Sequence, residues 1–140
     1  MKMNIKLLYF KTYISAQILT LCHFSTHHFL YPATMDKTLH YFFETQQLSI
    51  PLQTKKAKQT LNIRKFLPLY INSETILFPL TTKRSAIQYY INAMAITGLK
   101  SLQYGTVIYF ENTKYIEVTI PYTFVYKKWQ ESISLSHHSY

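Results

Sequence analysis

Glycine is nearly missing from this chain: Gly98 and Gly105 are the only two in 140 residues. Loops that cradle phosphates on backbone N–H groups need several glycines close together, so P-loop and dinucleotide-fingerprint chemistry are excluded. Cysteine is scarcer still. Cys22 stands alone, so it can form no internal disulfide and no cysteine-rich zinc site, which fits a reducing, cytoplasmic setting. Acidic residues number six, Asp36, Glu44, Glu74, Glu111, Glu117 and Glu131. They are scattered, and none forms a local acid–base pair with a histidine, so the expectation is a protein that is not an enzyme. Long apolar runs are also wanting. The best candidate, residues 7–24, is broken by Lys11, Gln17 and His23. That falls short of the roughly 20 predominantly apolar residues a membrane-spanning helix needs, and it makes a poor signal peptide.

What the chain does have is positive charge. Fifteen Lys and Arg residues against six acids give a net charge of +9 and a pI near 9.6. Polyanions are the natural partners of such a surface: DNA, RNA or anionic lipid. Apolar residues make up 48% of the chain and aromatics 16%, enough for one core in one domain. The six histidines (His23, His27, His28, His40, His137 and His138) do not assemble a tetrahedral ligand set with Cys22, so neither metal nor cofactor is expected.

Residues 1–35 contain no acid and differ in character from the remainder of the chain. They are expected to form an amphipathic helix, or to be an extended start preceding translation from Met35, with the main domain at residues 36–140. A membrane-associated protein anchored by residues 5–24 is the alternative from another class. From Leu39 to Leu48 the pattern is too short to assign. Residues 53–59 are polar and basic and read as an exposed loop or strand edge. Leu61, Ile63 and Lys65 alternate with Asn62 and Arg64, a strand signature. Residues 67–71 continue in extended form, with Pro68 marking a sheet edge. Residues 72–74 form a turn, and residues 76–79 are a short apolar strand. Residues 81–85 make a second basic loop, and residues 87–91 alternate again. Residues 107–110 and 115–120 read as a β-hairpin, with Ile116, Val118 and Ile120 inward and Glu117 and Thr119 outward. Pro121 then opens a helix carrying Phe124, Trp129 and Ile133 on one side, with Lys127, Lys128 and Glu131 elsewhere on its surface. The fold class is therefore α+β, mainly antiparallel sheet, with a C-terminal helix.

No acid interrupts residues 45–73. The cations of that stretch, Lys55, Lys56, Lys58, Arg64 and Lys65, join Lys83 and Arg84 of the next loop as candidate DNA-binding residues. Arg64 and Arg84 are the only arginines, and arginine suits the enhanced negative potential of a narrow A-tract minor groove. The bland alternative is a solvated face that merely keeps the protein soluble. Tyr89, Tyr90, Tyr109, Phe110 and Tyr115 could stack on bases, but alternating strands explain them better as core or cross-strand pairs.

The order of these segments resembles the competence transcription factor (ComK) family. The resemblance is carried by Lys55-Lys56-Ala57, Arg64-Lys65, Leu67-Pro68-Leu69-Tyr70-Ile71, Ile76-Leu77-Phe78-Pro79, the Ile87-Gln88-Tyr89-Tyr90-Ile91-Asn92 run, the hairpin and the helix around Trp129. It covers residues 38–134. It implies a cytoplasmic, nucleoid-associated activator of competence (DNA-uptake) genes that binds AT-rich promoter boxes, largely through the minor groove. Duplex DNA, a second copy of the chain and RNA polymerase are the partners it implies; a small-molecule substrate is not. The first 35 residues and the short end after the helix depart from the family's pattern, so an inactive truncated paralogue is a variant of this reading.

Overall fold

The computed structural model describes residues 5–138. Three strands come first: β1 (Leu7–Ile14), β2 (Ile18–Phe24) and β3 (His28–Tyr31). Two helices follow, α1 (Met35–Thr45) and α2 (Ile50–Leu61). Then come β4 (Leu69–Asn72), β5 (Thr75–Pro79) and β6 (Tyr89–Asn92), a short 3-10 turn, and β7 (Ile96–Leu102), β8 (Gly105–Phe110) and β9 (Tyr115–Val118). Helix α3 (Tyr122–Ser136) closes the order. The strands form a six-stranded sheet, β3-β2-β1-β6-β5-β4, and a three-stranded sheet, β7-β8-β9. All pairings are antiparallel. The class is α+β with a C-terminal helix.

The larger sheet is covered on both faces. On one side Leu8, Ile76, Phe78 and Ile91 pack with Ile108 and Val118 of the second sheet and with Val125 and Leu135 of α3. On the other, Phe10, Leu77 and Tyr90 pack against Met35, Leu39 and Phe43 of α1. Those α1 residues follow helical spacing, and Thr34 caps the helix by accepting from the Lys37 N–H. Strands buried on both faces carry apolar residues without alternation. β5 is buried at all five positions and β1 at its first four.

This explains the correction at the N-terminus. Residues 7–31 form three strands where a helix was expected, and β1 lies inside the larger sheet between β2 and β6. The run at residues 5–24 thus forms sheet rather than a spanning helix, with Leu7, Leu8, Tyr9, Phe10 and Cys22 buried and Ile5, Tyr13, Ile14 and Ile18 exposed. Among the described residues no helix is long and apolar enough to cross a membrane. A chain begun at Met35 would lack three of the sheet's six strands.

Two further expectations fail locally. Residues 53–59 lie in α2, because Ser49 caps the helix by accepting from the Leu52 N–H and Pro51 occupies its first turn. Gln53 and Ala57, four apart, face inward. Residues 62–68 form no strand, since Asn62 and Phe66 both take the left-handed conformation, with φ of 55° and 53°. The rest of the order stands: Pro68 precedes the edge strand β4, and residues 73–74 turn the chain into β5. In the hairpin, Val118 is buried, Ile116 and Ile120 are half-buried, and Glu117 and Thr119 are exposed.

Asn92 ties these parts together. Its side chain is fully buried. Oδ1 accepts from the N–H groups of Ile76 and Met94, each at 3.1 Å. Nδ2 donates to the carbonyls of Leu7 at 2.7 Å and Glu74 at 3.0 Å. Two donors and two acceptor sites are the full capacity of an amide side chain, and all are used. Asn92→Leu should therefore leave four backbone groups short of a partner. Urea unfolding is expected to show a loss of about 3 kcal/mol or more.

His23 supplies a second prediction. Its ring stacks between Tyr9 at 5.0 Å and His28 at 5.3 Å. Its Nδ1 lies 3.2 Å from the Tyr9 hydroxyl. Burial, then the nearby His28 and Lys114 charges, lower its pKa. The folded state thus favours the neutral ring, so below the ordinary histidine value the unfolded chain binds the proton more readily and stability falls. The urea midpoint should drop between pH 7.5 and pH 5.5, and drop less in His23→Gln.

Candidate nucleic-acid interface

Helix α2 distributes its lysines around its outer surface. At 3.6 residues per turn, Lys55 and Lys58 lie about 60° apart on one exposed side, whereas Lys56 lies about 160° from Lys58 on the other flank. Lys55 and Lys58 are exposed and Lys56 is half-buried. The helix ends at Asn62, whose N–H donates to the Lys58 carbonyl at 2.9 Å. Its left-handed conformation turns the chain back toward the sheet.

The segment that follows carries Arg64 and Lys65, both exposed, and it is held from beneath by Lys128. This lysine is only 6% exposed, which corrects its expected place on the outer surface of α3. Its Nζ donates to the Lys65 carbonyl at 3.3 Å and pairs with Glu131 Oε1 at 2.8 Å. It also lies 5.7 Å from the Phe66 ring centre and 5.8 Å from that of Phe124. Those two rings meet edge to face at 5.0 Å. A positive φ is unusual for a bulky aromatic residue; here the packing of Phe66 on Phe124 and Lys128 holds it. The helix meanwhile anchors Trp129, whose indole N–H donates to the Ala93 carbonyl at 3.2 Å.

The third basic segment is the loop between β5 and β6. Its backbone is pinned by Ser85 N–H to the Thr82 carbonyl at 3.1 Å, and the Gln88 amide donates to the Lys83 carbonyl at 3.3 Å. Gln88 N–H also donates to Thr12 Oγ1 at 3.0 Å, fixing the loop to β1. Lys83 and Arg84 are both exposed.

These three segments converge. Lys58, Arg64, Lys65 and Lys83 line one cleft of about 390 Å³. Its lining includes Thr54, Thr81 and Thr82, with Ile50, Leu69 and Tyr90 as an apolar floor. No acidic residue lines it. Arg64 and Lys65 form a ridge, because they also border a second depression of about 420 Å³ that takes in Phe124, Lys127, Lys128 and Glu131. Of the seven candidate residues, Lys55, Lys56 and Arg84 stay outside the cleft. Lys55 lies one turn from Lys58, and Arg84 adjoins Lys83. Sequence reasoning missed Lys127; the acid-free run from residue 118 to 130 was the available signal.

Other candidate chemistries have specific placements. Among the described residues no group of three or more His, Cys, Asp or Glu side chains could hold a metal ion. Burial pushes the Cys22 thiol up to about 12, so it stays protonated and unreactive. Tyr90 and Phe110 are core, as expected. Tyr109 and Tyr115 form a cross-strand pair, the other expected arrangement, exposed and with 6.2 Å between ring centres.

Removing the support under the ridge should loosen it. In Lys128→Met with Glu131→Gln, which deletes both charges and leaves neither buried alone, trypsin should cleave after Arg64 and Lys65 about tenfold faster or more than in the parent. Equal cleavage rates would show that the ridge holds its shape unaided.

Comparison with protein-family models, with curated proteins and with solved structures finds no match to this chain.

Proposed function

We propose that this chain binds double-stranded DNA through the basic cleft and its ridge, and acts as a positive regulator of competence-gene transcription at AT-rich promoter boxes. The supporting observation is spatial. Four cations from three separate segments, Lys58, Arg64, Lys65 and Lys83, line one concavity that no acid lines. A solvated face that only conferred solubility would have no need to gather them, whereas closely grouped cations displace the counterions condensed on a phosphate backbone. Arg64 stands on the ridge, the place from which a guanidinium can reach into a narrow minor groove. Lys127 lies across the ridge, in the depression that Lys128 and Glu131 also line, and Lys55 lies one turn from Lys58 on α2.

The regulatory part of the reading, including nucleoid association, rests on the ComK resemblance. A second copy of the chain and RNA polymerase are the protein partners it carries. The cleft's cations bind and orient; nothing in the chemistry of the site calls for bond breaking.

Promoter-fragment shifts over a salt series test the proposal. Neutralising five to seven phosphates predicts a log–log slope of about −4.5 to −6. Lys58→Ala with Lys83→Ala should flatten that slope by about 2 units, while Lys56→Ala, on the other flank of α2, changes it by less than 1. Arg64→Ala should cut the preference for AT-rich over GC-rich duplex. Salt-independent or absent binding by the parent chain would overturn the reading.

A further inference from the structure

A phosphate backbone crossing the rim of the cleft makes no use of what lies beneath it. Under the cations is an apolar floor, Ile50, Leu69, Pro79 and Tyr90, in a concavity of about 390 Å³. That volume falls within the range of small-molecule sites, which combine apolar walls with a few convergent polar groups. The floor is where the second core opens outward: Leu69 and Tyr90 are core residues, and Ile50 packs against them.

The cleft has a neighbour with common lining. A smaller pocket of about 170 Å³ shares Ile50, Leu69, Lys83 and Tyr90 with the cleft and adds Asp36, His40 and Gln88. Asp36 lies close enough to Tyr90 to reinforce the rise in its pKa that burial begins. His40 is held to Asp36, its Nδ1 lying 2.8 Å from the Asp36 carbonyl. The two adjoining pockets differ in character: the cleft is lined by four cations and three threonines, the smaller pocket by Asp36, His40 and Gln88, and Ile50, Leu69, Lys83 and Tyr90 line both.

We propose that these two adjoining pockets together bind a nucleoside phosphate, with its phosphates against Lys58, Arg64, Lys65 and Lys83, its base over the shared apolar residues, and the base's hydrogen-bonding edge toward Asp36 and Gln88. The cations suit phosphate oxygens. A carboxylate beside an amide suits the mixed donors and acceptors of a purine or pyrimidine edge. A plain polyanion would gain nothing from the floor and would be repelled by Asp36; a fatty acyl phosphate would place its tail against that same carboxylate. Because phosphates and duplex would use the same lysines, the nucleotide would compete with DNA. Occupancy of these pockets is independent of the DNA-binding reading, and only the competition rests on it.

The test is a titration of the full chain with a fluorescent N-methylanthraniloyl ATP, followed by displacement with ATP, GTP or inorganic tripolyphosphate. Saturable binding with a stoichiometry near one is expected, with ATP or GTP displacing the probe at least tenfold better than tripolyphosphate. Lys83→Ala should weaken both nucleotide and tripolyphosphate. Asp36→Ala, at an exposed position, should weaken the preferred nucleotide at least fivefold and leave tripolyphosphate unchanged. Equal displacement by tripolyphosphate, or an Asp36→Ala variant that binds nucleotide like the parent, overturns the proposal. A chain that shifts promoter DNA but binds no probe sinks the nucleotide site alone. Base-dependent probe binding without a DNA shift supports this site and sinks the duplex reading alone.

Discussion

A single buried amide fixes the meeting point of the two sheets. Asn92 ends β6, and from there its side chain bonds to β1, to β5, to the turn before β5 and to the start of the 3-10 turn that leads into β7. An amide can satisfy this mix of two donors and two acceptors, whereas an apolar or acidic side chain of similar size cannot. The consequence reaches the surface. β5 and β6 are paired through Phe78 with Ile91 and Pro79 with Tyr90, and the loop carrying Lys83 springs from those paired ends. The position of one wall of the cleft is thus set in the interior, by strand register.

The last strand of the C-terminal hairpin was readable in the sequence because it has one wet face. Val118 is buried and Glu117 exposed, so apolar and polar residues alternate as they should on a half-buried strand. The N-terminal half was not, for the opposite reason. β1 sits between two strands with packing on both faces, and its buried Leu7-Leu8-Tyr9-Phe10 run carries no period that separates strand from helix. Between these segments, Leu61, Ile63 and Lys65 mimic a strand by alternation alone. Two left-handed residues, Asn62 and Phe66, override that pattern, and only Asn62 belongs to a residue type known for tolerating such a backbone.

The basic residues show a similar division. Their abundance was plain in the composition, and the acid-free stretch from residue 45 to 73 pointed to the right neighbourhood. Which of them share a surface was hidden, because it depends on elements that meet only after folding. Treating residues 53–59 as a loop made Lys55, Lys56 and Lys58 equivalent. The helix separates them, with Lys56 on the far flank. The floor of the cleft was hidden as well: Leu69 read only as part of an extended segment and Tyr90 as core or a cross-strand partner, and both are core residues that also line the concavity.

The grip of Lys128 on the segment bearing Arg64 and Lys65 has a bearing on biosynthesis. The anchoring lysine follows that segment by 63 residues, so a growing polypeptide extrudes the ridge long before its support. Until α3 has emerged from the ribosome and docked, Phe66 lacks both Phe124 and the ammonium that stabilise its backbone. The ridge is therefore completed together with the core that Val125 and Leu135 close, and a nascent chain still lacking α3 would not yet have it in finished form.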